Sequence, residues 1–426
     1  MRYWWLFILS AIWLNGCTRP DNGPSPFSGL NNNNATMNTQ STEIVRENQP
    51  EFEGSDFQII PDSELVNSPS SINFNLYQFI HDKGGYLDKY QEEIGNRLLS
   101  GADILYEISR DYSIHPRVLL VLLEHQSHWV TSKEVNSQMT YPLGLQDSSH
   151  QGLYRQLSWA ANKLNRGFYL HRVGGLASLI MVDGQQVSLS EMINPATAAI
   201  QYLFSQLCKY QDWQIVVSSL GFYRTYQSLF GEMIADSSDP MMTVGLVQPA
   251  LQLPFAEGEV WNFTAGPHSA WGDGAAWAAL DFAPPGERYG CYESQDWVQA
   301  VADGLVVRSE NGMVVLDLNK DGYEQTGWTV LYLHIASKDR VPYGAHLQAG
   351  DRIGHPSCEG GPSSGTHVHI ARRYNGEWVP ADQDIPFNLD GWISHGTGSE
   401  YEGQLIRNGV VVEAYAWFTP ENQIQR

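Results

Sequence analysis

Two regimes of hydrophobic spacing divide the chain. From about residue 72 to 234 apolar residues recur at intervals of three and four, the spacing of amphipathic helices. Ile94, Leu98, Ala102, Leu105 and Ile108 form one stripe, Leu153, Leu157, Ala160, Ala161 and Leu164 a second, and residues 200–207 a third. Pro116 suits the first position of a helix, and residues 118–123 are apolar all round, which predicts a central, buried helix. Glu124 follows that run directly, and a carboxyl at the edge of a buried helix is a candidate general acid. After a composition change at residues 235–240 the helical period is lost. Short β-rich runs at 304–308, 313–318, 328–334 and 366–372 take over, punctuated by Gly and Pro. The expected fold class is multidomain α plus β. A helical domain (72–234) and a linker (235–250) precede an antiparallel all-β module with a C-terminal extension (251–426).

The N-terminus changes the picture by setting the compartment. Met1-Arg2 opens a run from Tyr3 to Leu14 that is apolar except for Ser10. It is too short for a bilayer, which needs about 20 residues, and suits the core of a signal peptide. Leu14-Asn15-Gly16-Cys17 resembles a bacterial lipobox, which implies 1–17 as a lipoprotein signal and Cys17 as the lipidated residue; the alternative is ordinary secretion with Cys17 as a bystander. Residues 18–71 are rich in Asn, Ser, Pro and Thr and predict a disordered tether.

Charge and cysteine usage narrow the function classes. Among 426 residues, 25 Lys and Arg stand against 47 Asp and Glu, a formal charge of −22 that excludes a phosphate-reading nucleic-acid binder. A hydrophobic share of 42% excludes whole-chain disorder, and no polytopic membrane pattern is present. Of the 4 cysteines, Cys17 is assigned to lipid and Cys208 lies in a helical pattern, which leaves Cys291 and Cys358 as the candidate disulfide.

Of the 13 histidines, His81, His115, His125, His128, His150, His171, His346, His355 and His395 read as packing or surface residues. The informative unit is Thr366-His367-Val368-His369-Ile370. Side chains alternate along a strand, so His367 and His369 share a face about 6.6 Å apart. One can bind a metal while the other overhangs the metal's ligand. Residues 328–334 form a second strand pattern that ends in His334, and His268 is the remaining candidate.

Residues from about 253 to 379 resemble the lysostaphin and LytM-type zinc metallopeptidases, in particular their beta-lytic, staphylolytic endopeptidase branch. The matching stretches are Gly266-Pro267-His268-Ser269, Leu280-Asp281-Phe282-Ala283, Tyr332-Leu333-His334 and residues 358–369, which end in Gly365-Thr366-His367-Val368-His369. The commoner form of the family has its first His four residues before the Asp, where Trp277 stands here. In the beta-lytic branch the spacing is thirteen, as from His268 to Asp281. The resemblance implies His268, Asp281 and His369 as zinc ligands and His334 and His367 as the catalytic pair. Spacing alone leaves open which of His367 and His369 is the ligand.

The helical segment from about 102 to 231 resembles the lysozyme-like fold of soluble lytic transglycosylases. The resemblance rests on residues 108–116 running into Leu122-Leu123-Glu124, on Gly144-Leu145-Gln146, on residues 194–199 and on Leu220-Gly221-Phe222-Tyr223. It implies a glycan-facing domain with Glu124 at the acid position. Two departures speak for glycan binding or a structural role instead. His125 follows Glu124 where the family has Ser, and Gly221-Phe222-Tyr223-Arg224 replaces its Ala-Tyr-Asn element.

The expected protein is an envelope, lipid-anchored zinc endopeptidase that cuts peptidoglycan peptides. Its partners are those peptides, the membrane through the lipid, and glycan strands through the helical domain. The alternatives are a non-catalytic wall-binding or hydrolase-activating lipoprotein, and a bifunctional hydrolase that also uses Glu124. Residues 317–322 carry the oxygen donors and turn glycine of a calcium loop. Trp328 at its twelfth position excludes an EF-hand, and a hairpin turn explains the segment equally well.

Overall fold

The computed structural model describes residues 52–134, 139–232, 242–286 and 289–426. The signal segment, Cys17 and most of the expected tether lie outside the described residues. The tether ends earlier than its composition suggests, because Ile59, Ile60, Leu65 and Val66 are buried in the helical core. Four apolar side chains in a polar stretch are enough to fix it.

Helices α1 (Gly101–Tyr112), α2 (Pro116–Ser127), α3 (Leu153–Arg172), α4 (Pro195–Ser205) and α5 (Phe222–Phe230) build the first half. Pro116 occupies the first turn of α2, and the His115 ring caps it by accepting the Arg117 N–H. Residues 118–123 are buried on every side. The first predicted stripe is cut short. Gln91–Ile94 and Arg97–Ser100 pair as a hairpin, and Leu98 is exposed. A capping box between Ser100 and Asp103 starts α1 only after that hairpin. Apolar residues at 94 and 98 fit a helical period by coincidence with the hairpin's own alternation.

The β module is built on strands β1 (Val260–His268), β2 (Ala279–Ala283), β3 (Gly304–Glu310), β4 (Met313–Asp317), β5 (Trp328–Leu333) and β6 (Val368–Tyr374). They lie in the antiparallel order β3-β4-β5-β6-β2-β1. His346–Leu347 adds to the β3 edge and Gln423–Gln425 to the β1 edge. Both faces are covered, so the central strands read as continuous apolar runs. Val314, Leu316, Val330, Tyr332, Leu280 and Phe282 fill one core. Met313, Val315, Leu331, Ala371 and Ala279, one residue out of phase, pack with the helical domain. A second sheet of four short strands (388–413) packs on the β1 side.

A buried ion network joins the halves. Arg308 on β3 donates to Asp111 on α1 at 2.6 Å and to Glu324 at 2.7 Å. Arg373 on β6 donates to the Arg110 and Asp111 carbonyls, each at 3.2 Å.

Candidate metal centre

The sheet register assembles the site. His369 on β6 lies directly opposite Asp281 on β2 and, on its other side, Leu333, the residue before His334. β1 runs beside β2 and ends at His268. Three strands remote in sequence therefore deliver three donors to the sheet face shared with the helical domain.

The donor atoms form a small triangle. His268 Nε2 is 3.0 Å from His369 Nδ1, and Asp281 Oδ1 is 3.3 Å from the first and 3.2 Å from the second. Bonds of about 2.0–2.1 Å at tetrahedral angles place donors about 3.3 Å apart, so the triangle has the size of a zinc site. Asp281 Oδ1 is buried and makes no hydrogen bond. Among the described residues this is the cluster of His, Cys, Asp and Glu side chains able to hold a metal.

Backbone carbonyls set each imidazole's tautomer. His268 Nδ1–H donates to the Gly266 carbonyl at 2.8 Å and His369 Nε2–H to the Ala270 carbonyl at 3.2 Å. Their opposite nitrogens, Nε2 and Nδ1, are left as lone pairs facing Asp281. His334 Nδ1–H donates to the Glu359 carbonyl at 2.9 Å and His367 Nδ1–H to the Gly365 carbonyl at 2.8 Å. Both rings keep Nε2 as an acceptor, and that of His367 lies 3.4 Å from Asp281 Oδ2. The His334 and His367 rings are 4.5 Å apart.

Burial penalises charge throughout the site. It pushes His334 down to about 3, and His367 and His369 reinforce the shift. Burial also opposes ionisation of Asp281, but His268 and His367, when protonated, outweigh it and hold the carboxyl well below its usual range. His334 adopts φ +66°, a strained conformation for a non-glycine residue. Ser357 secures it by donating N–H at 2.7 Å and Oγ–H at 3.0 Å to the His334 carbonyl.

A groove of about 810 Å³ runs over these groups, lined on one side by Trp271 and Tyr401 and on the other by the Gly360–Gly365 loop. No residue of the helical domain lines it. Sequence reasoning missed Tyr401. Its ring stacks on His268 with centroids 4.8 Å apart, and its backbone sits at φ +71°. It is held by a hydrogen bond from its N–H to the Pro267 carbonyl. No local motif marks it, because the contact arises only when the second sheet docks on β1. Cys291 and Cys358 form a disulfide with Cα atoms 5.7 Å apart, while Cys208 is free and half-buried.

Two further sequence candidates sit in hydrogen-bonded turns. Glu124 accepts hydrogen bonds from Val130 N, Thr131 N and Thr131 Oγ1 at 3.1, 3.1 and 2.6 Å, with His128 Nδ1 at 3.4 Å. Its carboxylate braces the turn after α2, which suits the structural role that the two sequence departures favour. In the loop at 317–322, Asp317 accepts the amides of Asn319, Lys320 and Gly322, and Asp321 accepts Asn319 Nδ2 and Thr326 Oγ1. These oxygens organise the turn itself, as the hairpin explanation expects.

Comparison with known proteins assigns the region that carries this site. Residues 285–381 match the model for peptidase family M23, a span that contains His334, His367 and His369. The chain carries a peptidase family M23 domain over these residues. Residues 58–242 match the model described as the LasA N-terminal domain. The chain is 25% identical to protease LasA of Pseudomonas aeruginosa over 341 residues, 76% of this chain and 78% of that protein. It is 27% identical to the beta-lytic metalloendopeptidase of Achromobacter lyticus over 167 residues, 37% of this chain and 41% of that protein. Among solved structures, the M23 metalloprotease pseudoalterin is 25% identical with a TM-score of 0.34, over 42% of this chain and all of that one. The M23 domain, its LasA and beta-lytic relatives and the His-Asp-His cluster support a zinc metalloendopeptidase that acts on peptidoglycan. Its disulfide suits an exported protein.

Proposed function

We propose that the M23 module hydrolyses peptide bonds of peptidoglycan with His268, Asp281 and His369 as zinc ligands and His334 and His367 as the catalytic pair. The observation that carries this reading is the triangle of donor atoms, whose two imidazoles are both oriented by carbonyls to present lone pairs. Zinc on three protein ligands supplies an acidified water and a Lewis acid for the scissile carbonyl. The chain's own residues do the rest. His367 Nε2, beside Asp281 and open to the groove, accepts the proton of the attacking water. His334 is held neutral by burial and fixed by the Glu359 carbonyl and Ser357. Its Nε2 faces the groove beside His367 and donates to the developing oxyanion only once it has taken up a proton, while the departing amine receives the proton that His367 accepted from the water. Tyr401 holds the His268 ring flat from outside.

The reading also places the enzyme on an extracytoplasmic membrane face through lipid on Cys17, which lies outside the described residues. Digestion of purified peptidoglycan with and without a chelator, read by mass spectrometry, tests the activity. Peptide scission that stops with chelator and returns with zinc is expected. Anhydro-sugar ends without peptide scission would overturn the reading.

A further inference from the structure

The outer rim of the groove is made of aromatic rings whose backbones are fixed and whose faces meet water. Tyr289 stacks on Phe418 with centroids 5.3 Å apart and 15° between planes, and meets Trp417 edge-on at 5.6 Å. Tyr289 is 62% and Trp417 57% exposed, although water disfavours such large apolar faces. A loose chain does not explain the exposure. The Trp417 carbonyl accepts from Nδ2 of Asn422 at 3.0 Å. Asn422 is fully buried and also accepts the Thr419 N–H and Asn262 Nδ2 at 3.1 and 2.8 Å. On the facing segment, the carbonyl of Gly290 accepts the N–H of Thr366, the neighbour of His367, at 3.1 Å. Cys291 is tied to Cys358 just beyond. Two segments remote in sequence, each pinned through buried polar groups, thus hold three rings together beside the catalytic histidines.

We propose that Tyr289, Trp417 and Phe418 form a sugar subsite that takes an N-acetylhexosamine ring of the glycan strand while its attached peptide lies in the groove. The inference rests on the peptidoglycan reading above. A pyranose presents a flat face of C–H groups, which suits the negative face of an aromatic ring, and a hydroxyl rim that stays hydrated. A peptide side chain is held better in an enclosed pocket, and this rim is flat and open. The platform is continuous with the groove, so sugar and peptide of one substrate reach their places together.

The test compares full-length wild type with Trp417→Ala, Trp417→Tyr and Tyr289→Ala. Sedimentation with peptide-free glycan strands, prepared by amidase treatment of wall, reads binding without activity. The wild type and Trp417→Tyr should co-sediment, and the two Ala variants should bind about tenfold more weakly. The ratio of kcat/KM on intact wall to kcat/KM on sugar-free cross-linked peptides should fall by about the same factor in the Ala variants, through KM. Equal loss on both substrates, or a wild type that does not bind peptide-free strands, overturns the subsite. An inactive wild type that still binds strands would overturn the peptidase reading and leave the subsite standing.

Discussion

His268 and His369 meet through unlike nitrogens, Nε2 of the first lying 3.0 Å from Nδ1 of the second. Each has given its other N–H to a backbone carbonyl, so the two rings cannot satisfy one another by a hydrogen bond. The pair is arranged for a third party. Replacing His268, Asp281 or His369 by Ala should therefore strip zinc and abolish activity. His334→Ala and His367→Ala should keep near-stoichiometric zinc while losing about 10²–10⁴ in rate. Metal analysis and turnover on the same folded variants check both halves, and zinc loss from His334→Ala would break the role assignment.

The ion network between the halves gives a pH-dependent prediction. Burial opposes the ionisation of Glu324, but Arg308, Arg110 and Arg373 outweigh it and hold its carboxyl below the ordinary range. Glu324→Gln leaves those guanidinium groups short of a partner and should cost about 3 kcal/mol at pH 7. Because the folded pKa is depressed, the wild-type advantage is complete above the ordinary Glu value of about 4.3. It is lost as pH falls through the folded value. Denaturant midpoints of both proteins should converge as acidification passes the ordinary Glu range and then the folded value, and a gap that does not narrow on acidification counts against the network.

Cys358→Ser opens a closure spanning a sequence separation of 67 and should cost about 4 kcal/mol in the chain-entropy model. The Glu359 carbonyl that orients His334 is the next residue, so turnover should fall along with thermal stability. Calorimetry and kinetics on one preparation test this, and full activity in a destabilised variant would separate the bridge from the site.

Lipidation at Cys17 has a direct readout. Cys17→Ser should move the protein from the membrane fraction to the soluble envelope or medium. Unchanged membrane association would remove the anchor.

What was legible in the sequence follows from where each interaction lives. The His-x-His alternation is local to β6, and strand geometry alone puts His367 and His369 on one face. Pro116 and the apolar run after it announce a buried helix because capping and burial are also local. The surroundings of Glu124 were illegible for the opposite reason. Its partners at Val130 and Thr131 lie beyond a turn whose left-handed His128 no pattern reveals. The hairpin ending at Ser100 imitated a helical stripe because two periods can agree over a few residues. Tyr401 was invisible, since its contact with His268 requires one sheet to dock on another.

The candidate metal donors stand at positions 268, 281 and 369, on three adjacent strands. Slipping β6 by one residue would turn His369 to the opposite face and put Val368 or Ile370 beside Asp281. A chain with that error keeps its sequence and much of its secondary structure but loses a metal ligand. The ratio of tightly held zinc to protein therefore counts correctly assembled sheets, and metal analysis of a refolded sample serves as an assay of folding fidelity.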